Sequence, residues 1–348
     1  MNRLLAGVAA FCLFVGGAQA LEPVRPGQDD MIRQAVHAEG RLWLLTDAGV
    51  LSHITPQNRR VDEVLSEPVH GLCSIDGNVT ALTAPRSGGK WTLWTRQGET
   101  WTLTDTFDRE DHENLRTLDC QPGNIVVLAG RRILQLQGPT RRIVTLSGRL
   151  PWGGQTVILT KGETLWVGVS AGEWGGGLHR VDLKTGIVTT LKNADRDICG
   201  QPLDPDCDRV NALAVSPKKP DCIVAALGGV HRMSHGRLIE VCGETIRQTY
   251  AKETVPSQNP NFHGQSLPFY GLVYRDTGLL ALGADGLYDF GWDDTPTFTP
   301  FSPFRNAAGV RVNDVSNDLI LVRTNIDSRT SLGGGRVLMV PITSPPVR

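Results

Sequence analysis

The stretch at residues 165–191, LWVGVSAGEWGGGLHRVDLKTGIVTTL, decides the predicted fold of this chain. It holds three short apolar runs, and a glycine-rich turn separates the first run from the second. The turn Lys184-Thr185-Gly186 separates the second run from the third. Short apolar runs between glycine turns are typical of antiparallel β-strands, because hairpin turns need the positive φ that glycine adopts easily. The stretch therefore predicts three strands of one small sheet.

The same strand–glycine–strand arrangement recurs at six other places in the chain. RLWLLTDAGVLSHI at 41–54 and LLALGADGLYDF at 279–290 are clear copies, and CIVAALGGVHRM at 222–233 places the turn of the fifth copy at Gly229. In chain order the turn glycines are Gly49, Gly89, Gly130, Gly177, Gly229, Gly286 and Gly335. They lie 40 to 57 residues apart, which is typical of one four-stranded propeller blade. The sequence predicts an all-β fold, a single seven-bladed β-propeller; a β-sandwich or two smaller all-β domains are the alternatives.

The first 20 residues match a secretory signal peptide. Arg3 provides a positive start, the apolar run at 4–17 is too short to span a bilayer, and Ala18-Gln19-Ala20 matches a cleavage site. We expect residues 1–20 to be removed. The remaining chain is then predicted to be periplasmic or secreted, with no later membrane span.

The repeat divides residues 21–348 into seven predicted blades. Their approximate bounds are 31–66, 67–108, 114–147, 154–192, 208–243, 266–302 and 308–343. The last blade has three obvious strands. Residues 21–26 either supply its outer fourth strand or form a frayed terminus, and the two prolines in this segment are compatible with an edge strand.

The stretch 165–191 also resembles the two-component-regulator β-propeller repeat. That repeat has the pattern L-W-[VI]-G-T, a Gly-Gly-Leu hairpin, D-x-x-T-G and a closing strand, and 41–54 and 279–290 are weaker copies of it. In that family such propellers usually precede a membrane helix and a signalling domain. The resemblance implies the propeller fold. We expect no sensor-kinase activity, because neither of those segments is found before Arg348.

The charge balance argues against two classes of protein. Lys and Arg number 35 against 36 Asp and Glu, whereas a nucleic-acid groove needs a clear basic excess. The apolar content of 40% is ordinary for a globular chain and too low for a protein with many membrane spans. We therefore expect no nucleic-acid partner.

Loop lengths indicate which face of the propeller carries function. Four short turns, at Asp76-Gly77, Pro122-Gly123, Lys184–Gly186 and His235-Gly236, are predicted on one face. The long segments 171–177, 192–208, 243–266 and 325–335 are predicted on the other. Long loops gathered on one side of a rigid scaffold are typical of a binding surface, although neutral variation in loop length is the alternative.

Six cysteines follow the signal peptide, as suits an oxidising compartment. Cys199 and Cys207 bracket a loop with two prolines and are predicted to pair. Cys73 and Cys120 lie on first strands of consecutive blades and are predicted to pair across the gap between the blades. The remaining two, Cys222 and Cys242, are predicted to lie about 17 Å apart, beyond disulfide reach. One or both are expected to be buried free thiols, or Cys242 finds a partner in 192–208.

Polar residues near the starts of first strands are predicted to surround the mouth of the channel. His70, Asn211 and Asn313 share the second position of VHGL, VNAL and VNDV, and Arg116 and Tyr270 are further candidates. Hydrogen bonding to the backbone of neighbouring blades is the alternative role for each. In the loop at 171–177, Glu173 and Trp174 are candidate contact residues, and Trp174 folded down as a loop anchor is the alternative.

No specific catalytic constellation is present, so catalytic residues are left unassigned. Asp204, Asp206 and Asp208 resemble a D-x-D-x-D calcium loop, but the glycine and terminal glutamate of that motif are missing. Turn chemistry explains these carboxylates better, and no cofactor is predicted. The acidic stretch 108–113 is predicted to be a solvated loop. We expect a binding module for a protein, peptide or glycan; a propeller lyase or hydrolase with a pocket at the central axis is the alternative.

Overall fold

The computed structural model describes residues 32–110, 113–151, 154–172, 175–195, 199–231, 233–258, 263–291, 295–300, 310–316, 319–324 and 337–341. The predicted signal peptide and residues 21–26 lie outside this description. The regular structure within it is all β-strand. No helix in the described part of the chain is long and apolar enough to cross a bilayer.

The strands form six four-stranded antiparallel sheets, one three-stranded sheet and two short ribbons. In chain order, the first three sheets are β1–β4 (Ile32–Ala38, Arg41–Thr46, Leu51–Ile54, Arg60–Glu63), β5–β8 (Val69–Ile75, Asn78–Thr83, Lys90–Gln97, Thr100–Asp108) and β9–β12 (Leu115–Gln121, Asn124–Ala129, Arg132–Gln137, Thr140–Thr145). The fourth sheet, β13–β16 (Gln155–Lys161, Thr164–Ser170, Leu178–Asp182, Val188–Thr190), is followed by the ribbon β17–β18 (Asn193–Ala194, Pro202–Leu203). The fifth sheet, β19–β22 (Val210–Val215, Ile223–His231, Met233–Cys242, Thr245–Tyr250), is followed by the ribbon β23–β24 (Glu253–Val255, Gln265–Ser266). The sixth sheet is β25–β28 (Phe269–Arg275, Gly278–Gly283, Gly286–Asp289, Thr297–Pro300), and the seventh is β29–β31 (Val310–Ser316, Leu319–Thr324, Val337–Pro341).

The sheets are arranged in a ring, which makes the fold a β-propeller. The innermost strands β1, β5, β9, β13, β19, β25 and β29 contact one another in chain order, and β29 contacts β1. At this closure Arg323 Nη2 donates to Asp47 Oδ2 over 2.7 Å. Ala35 and Leu44 also pack there against Val315 and Leu321. The first and last described sheets are therefore held together by both ionic and apolar contacts.

The predicted count of seven blades is wrong. Six blades are complete, and the last sheet has three strands, since no described strand pairs with the outer edge of β31. The segment expected to close it, 21–26, lies outside the described residues.

The apolar core lies between the sheets rather than at the channel. One cluster joins Leu82, Trp91 and Leu93 of the second sheet to Ile125 and Val127 of the third. Each sheet is covered by a neighbour on both faces, so all six residues of β10 are buried. Because both faces of each sheet are buried, the second strands of the blades consist of continuous apolar runs.

The β20–β21 hairpin is longer than predicted. Its ladder runs from Ile223 opposite Val241 to His231 opposite Met233. Gly229, the predicted turn, pairs inside that ladder with His235. The predicted short turn at His235-Gly236 is therefore wrong: both residues belong to β21 and lie on the side of the long loops. The predicted long segment 243–266 also begins later, because β22 continues to Tyr250 as the fourth strand.

Glycines in this hairpin allow a close approach of the sixth sheet. A Cβ at Gly228 would lie 2.6 Å from Phe269 N, and a Cβ at Gly236 would lie 2.4 Å from Pro268 Cα. Any larger residue would push the fifth and sixth sheets apart. Gly228 is thus explained by packing between sheets and not by a turn, while a Cβ at Gly229 would lie 2.9 Å from Arg209 Nε.

The same register corrects the prediction for Cys222 and Cys242. Because Ile223 pairs with Val241, these two cysteines are neighbours at the end of the ladder, and they form a disulfide with Cα atoms 4.4 Å apart. The two predicted disulfides are confirmed. Cys73–Cys120 joins β5 to β9 and Cys199–Cys207 closes its loop, with Cα separations of 5.8 and 5.2 Å.

Candidate functional site

Long connections over the fourth, fifth and sixth sheets pack against one another. Gly176 N, between β14 and β15, donates to Pro205 O in the β18–β19 connection at 3.0 Å. Gly236 N in the β20–β21 hairpin donates to Ser266 Oγ at 2.9 Å. We call the described parts of 171–177, 191–209, 229–237 and 251–268 the loop face. These connections support one another and therefore form one continuous surface.

A buried ion pair fixes the loop face to the fifth sheet. Arg237 Nη2 lies 2.5 Å from Asp208 Oδ2, and their side chains are 4% and 2% exposed. The same carboxylate oxygen accepts from Asp204 N at 2.8 Å. Burial raises the pKa of Asp208 to about 6, against the opposing effect of Arg237. The pair ties the connection before β19 to β21, so the loop conformation depends on it.

His235 lies beside this pair as a neutral imidazole. Its Nε2 atom is 4.0 Å from Asp208 Oδ1. Burial, together with the positive charges of Arg237 and Arg209, lowers the pKa of His235 to about 4. At neutral pH the cluster therefore contains one arginine paired with Asp208 and no imidazolium.

The aspartates of the D-x-D-x-D segment contact protein groups, and the exposed Asp206 carboxylate lies 3.6 Å from Lys192 Nζ. Asp204 accepts backbone N–H groups from Gly200 and Asp206, and Asp208 accepts from Arg237 as described. This arrangement is the turn chemistry that the spacing favoured. Among the described residues, the cluster with metal-ligand spacing is Cys222, Glu240 and Cys242, whose two cysteines are joined in the disulfide.

Five innermost strands carry a β-bulge at their second residue, on the same side of the ring as the loop face. The bulged residues are Arg33, His70, Arg116, Asn211 and Tyr270. A bulge inserts one unpaired residue and redirects its side chain. Four predicted site residues therefore share one structural position. Arg33 was missed, although its Ile32-Arg33 pair repeats the apolar-then-polar start of the other strands.

The bulged side chains bind strand-end carbonyls. Arg33 Nη2 donates to Val69 O at 3.2 Å in the next blade. Asn211 Nδ2 donates to Phe269 O at 2.8 Å, also in the next blade. His70 Nε2 donates to Ala84 O at 3.2 Å within its own blade. These three residues therefore have the alternative role predicted for the channel-mouth residues, hydrogen bonding to backbone carbonyls. The bonds of Arg33 and Asn211 hold neighbouring blades in register.

Burial sets the protonation state of two of the bulged side chains, His70 and Tyr270. It lowers the pKa of the His70 imidazole and raises the pKa of the Tyr270 phenol to about 12. Both groups are neutral at pH 7, so the positive charge at the channel mouth comes from arginine.

The remaining predicted residues do not share this position. Asn313 is the fourth residue of β29 and pairs in regular register with Leu321, while the bulge of that strand lies between Asp314 and Ser316. The side chain of Asn313, and all of Glu173 and Trp174, lie outside the described residues.

A cavity of about 250 Å³ opens between the third and fourth blades. Its lining consists of Arg116, Gly130, Arg131, Leu146, Arg149 and Leu150. Arg116 Nη1 donates to Pro151 O at 2.9 Å, and Arg131 Nη2 donates to Leu146 O at 3.0 Å. Among the predicted site residues that the structure describes, Arg116 alone lines this cavity.

The acidic stretch before β9 is not wholly solvated as predicted. Glu113 is 5% exposed and accepts from Trp91 Nε1 at 3.0 Å and from Arg132 Nη2 at 2.6 Å. The Arg109 guanidinium lies 4.9 Å from the Trp91 ring centroid. Because its buried carboxylate accepts from two donors, Glu113 has a structural role and fixes the crossover between the second and third blades.

Asp119 on β9 gives a stability prediction. Burial raises its pKa from 3.8 to about 6, although Gln121 Nε2 donates to it at 3.1 Å. The native state therefore holds this proton to higher pH than the unfolded chain, and the free energy of unfolding falls as pH rises from about 4 to about 6. We expect Asp119→Asn to raise it by about 1–3 kcal/mol at pH 7.5.

Urea unfolding of both proteins at pH 7.5 and pH 3.5 checks this expectation. The gain should vanish at pH 3.5, where Asp119 is protonated in both states. A gain of equal size at both pH values would mean that charge burial is not its cause.

No family model and no curated protein matches this chain. Among solved structures, the extracellular domain of BT4673 from B. thetaiotaomicron, described both as a one component and as a hybrid two component system, is similar with a TM-score of 0.53 and 16% identity. The match covers 86% of this chain and 38% of that one. Kuenenia stuttgartiensis hydrazine synthase is similar with a TM-score of 0.53 and 9% identity over 92% of this chain and 99% of that one.

These likenesses show the fold alone. They establish a fold-level resemblance to the extracellular propeller of a two-component-type system, as the repeat at 165–191 implied. This chain spans about 38% of the length of that BT4673 domain.

Proposed function

We propose that this chain is an exported β-propeller that acts as a binding module, with a protein, peptide or glycan held at the loop face. The observation that carries the proposal is the continuity of the loop face, in which separate long connections are bonded into one surface. Rigid scaffolds commonly present their binding residues on such loops. A preformed surface also loses little conformational entropy when a ligand binds.

Export to the periplasm or the outside is supported by two further observations. Three disulfides join all six cysteines that follow the predicted signal peptide, and disulfides persist in oxidising compartments. The similar B. thetaiotaomicron structure is an extracellular domain. The proposed working residues are Glu173 and Trp174, the contact residues predicted from the sequence, together with the bulged residues of the channel mouth.

Capture of a ligand by the intact protein tests the proposal. The tagged, processed chain is incubated with separated protein, peptide and glycan fractions of its own periplasm or medium, and hydrogen exchange is measured with and without each fraction. We expect protection of backbone amides at 175–177 and 199–209. We expect Trp174→Ala to weaken capture tenfold or more while the melting temperature shifts by a few degrees at most.

Tyr274→Ala is the matched control. Tyr274 is an aromatic residue, 47% exposed, and it lies near the end of β25 on the opposite face, where the variant should capture the ligand normally. Loss of capture in Tyr274→Ala but not in Trp174→Ala, or protection confined to the opposite face, would place the binding surface elsewhere and refute the proposal.

A further inference from the structure

The cavity between the third and fourth blades has an unusual charge composition. Of the six lining residues that the structure describes, three are arginines, Arg116, Arg131 and Arg149, and none is Asp or Glu. The whole chain is nearly neutral, with 35 basic and 36 acidic residues. Arg131 and Arg149 are exposed, so solvent screens the repulsion among the three charges and an anion can reach them.

Neighbouring arginines of the same blade show what is missing at this cavity. Arg132 pairs with Glu113 at 2.6 Å, Arg141 with Asp105 at 2.8 Å, and Arg142 with Glu163 at 2.8 Å. In contrast, neither Arg131 nor Arg149 forms an ion pair with any residue that the structure describes. Among the described residues, no carboxylate therefore competes with an external anion for these two side chains.

The guanidinium groups are partly held in place. Arg131 donates one Nη2 bond to Leu146 O, and a guanidinium has five N–H donors in a fixed fork. Arg116 is held by carbonyl oxygens of Pro151 and Leu150 at 2.9 and 3.4 Å. A ligand that meets donors already oriented in this way loses less entropy on binding.

The remaining lining limits the ligand. Leu146 and Leu150 are 1% and 3% exposed and provide an apolar wall beside the charges. A volume of about 250 Å³ corresponds to roughly eight water molecules at liquid density. This space suits a compact oxyanion with a short carbon skeleton. Arginine forks match the paired oxygens of carboxylate, phosphate and sulfate groups.

We propose that the Arg116–Arg131–Arg149 cavity is a binding site for a small oxyanion: a carboxylate, phosphate or sulfate, alone or as the acidic group of a larger ligand. The site goes beyond the proposed function, because its lining belongs to the third blade and the connection to the fourth and not to the loop face. It opens on the same side of the ring, so a ligand with an acidic group could contact both surfaces.

Titration calorimetry of the intact processed chain with citrate, inorganic phosphate and sulfate, each at low ionic strength, tests the site. We expect one equivalent of at least one anion to bind, with the preferred anion identifying carboxylate, phosphate or sulfate chemistry. Arg149→Gln and Arg131→Gln should each weaken binding about tenfold or more, because each removes a charged donor. Rising ionic strength should weaken binding as well.

Arg142→Gln is the matched control: it removes one positive charge from the same blade at a side chain already paired with Glu163, and binding should be unchanged. Arg149 is exposed, so its variant is expected to fold normally. Equal losses in Arg142→Gln and Arg149→Gln, or no binding of any of the three anions, would overturn the proposal. Trp174→Ala should leave anion binding intact, so failure of the loop-face proposal is distinguishable from failure of this one.

Discussion

Replacing Arg237 by Met is expected to lower the free energy of unfolding by about 3–5 kcal/mol at pH 7, because it leaves the Asp208 carboxylate buried without its countercharge. The methionine keeps the apolar length of the side chain but cannot donate to Asp208 or to Pro202 O, which Arg237 Nε now binds at 2.7 Å. Urea unfolding at pH 7 measures the loss. Hydrogen exchange should show that 199–209 opens first, since the pair anchors that segment.

The pH dependence of this variant has a defined sign. The pKa of Asp208 in the intact protein is about 6, and without Arg237 the pKa rises further. Below pH 6 the carboxyl is increasingly protonated in both proteins, so the difference between them should shrink as pH falls. Arg142→Met is the control, because its pair with Glu163 is exposed and worth less than about 1 kcal/mol. Equal losses at the two positions would contradict the anchoring role of Arg237.

Removing the Cys73–Cys120 disulfide by a double replacement with Ala is expected to cost about 4 kcal/mol of unfolding free energy. The cross-link closes a loop with a sequence separation of 47 residues and joins the innermost strands of adjacent blades. A chain without it gains more freedom when it unfolds, and the second and third blades lose their covalent connection. Equilibrium unfolding in guanidinium chloride measures the cost.

The Cys199–Cys207 disulfide provides the internal comparison. Its sequence separation is 8 residues, so the same chain-entropy relation gives a cost of about 2.5 kcal/mol for its removal. The expected difference between the two double variants is about 1.5 kcal/mol. A larger loss from the short loop would show that strain or local packing, rather than loop closure, decides the contribution of these bonds.

The cysteines show where sequence reasoning succeeds. Cys199 and Cys207 are close in the chain, so their pairing needed only a reversal of a short loop. The repeat placed Cys73 and Cys120 on equivalent strands of adjacent blades, and this placement was sufficient to predict their disulfide. Cys222 and Cys242 were missed because their pairing depends on the length of one hairpin, and the glycines at 228–229 were interpreted as its turn.

The candidate site likewise contains residues that the sequence predicted at the right position and one that it did not. Arg116 and Tyr270 were named separately as further candidates, and they lie at the same bulge position as His70 and Asn211. The shared second position of VHGL and VNAL grouped His70 with Asn211. It also included Asn313, whose strand begins earlier and has its bulge at the other end. A bulge is decided by the pairing of one strand against another and leaves no fixed mark in the alternation of a single strand.

The sequence by itself determined most of the described β-strands, several of their glycine turns, the propeller class and two of the disulfides. These features depend on local alternation, turn conformation and a repeat period, all of which are visible along the chain. Only the tertiary structure decided the extended β20–β21 hairpin, the Asp208–Arg237 pair and the cavity of Arg116, Arg131 and Arg149. Each of these depends on how closely separate blades and crossovers approach, and that distance is set by packing between sheets rather than by any local pattern.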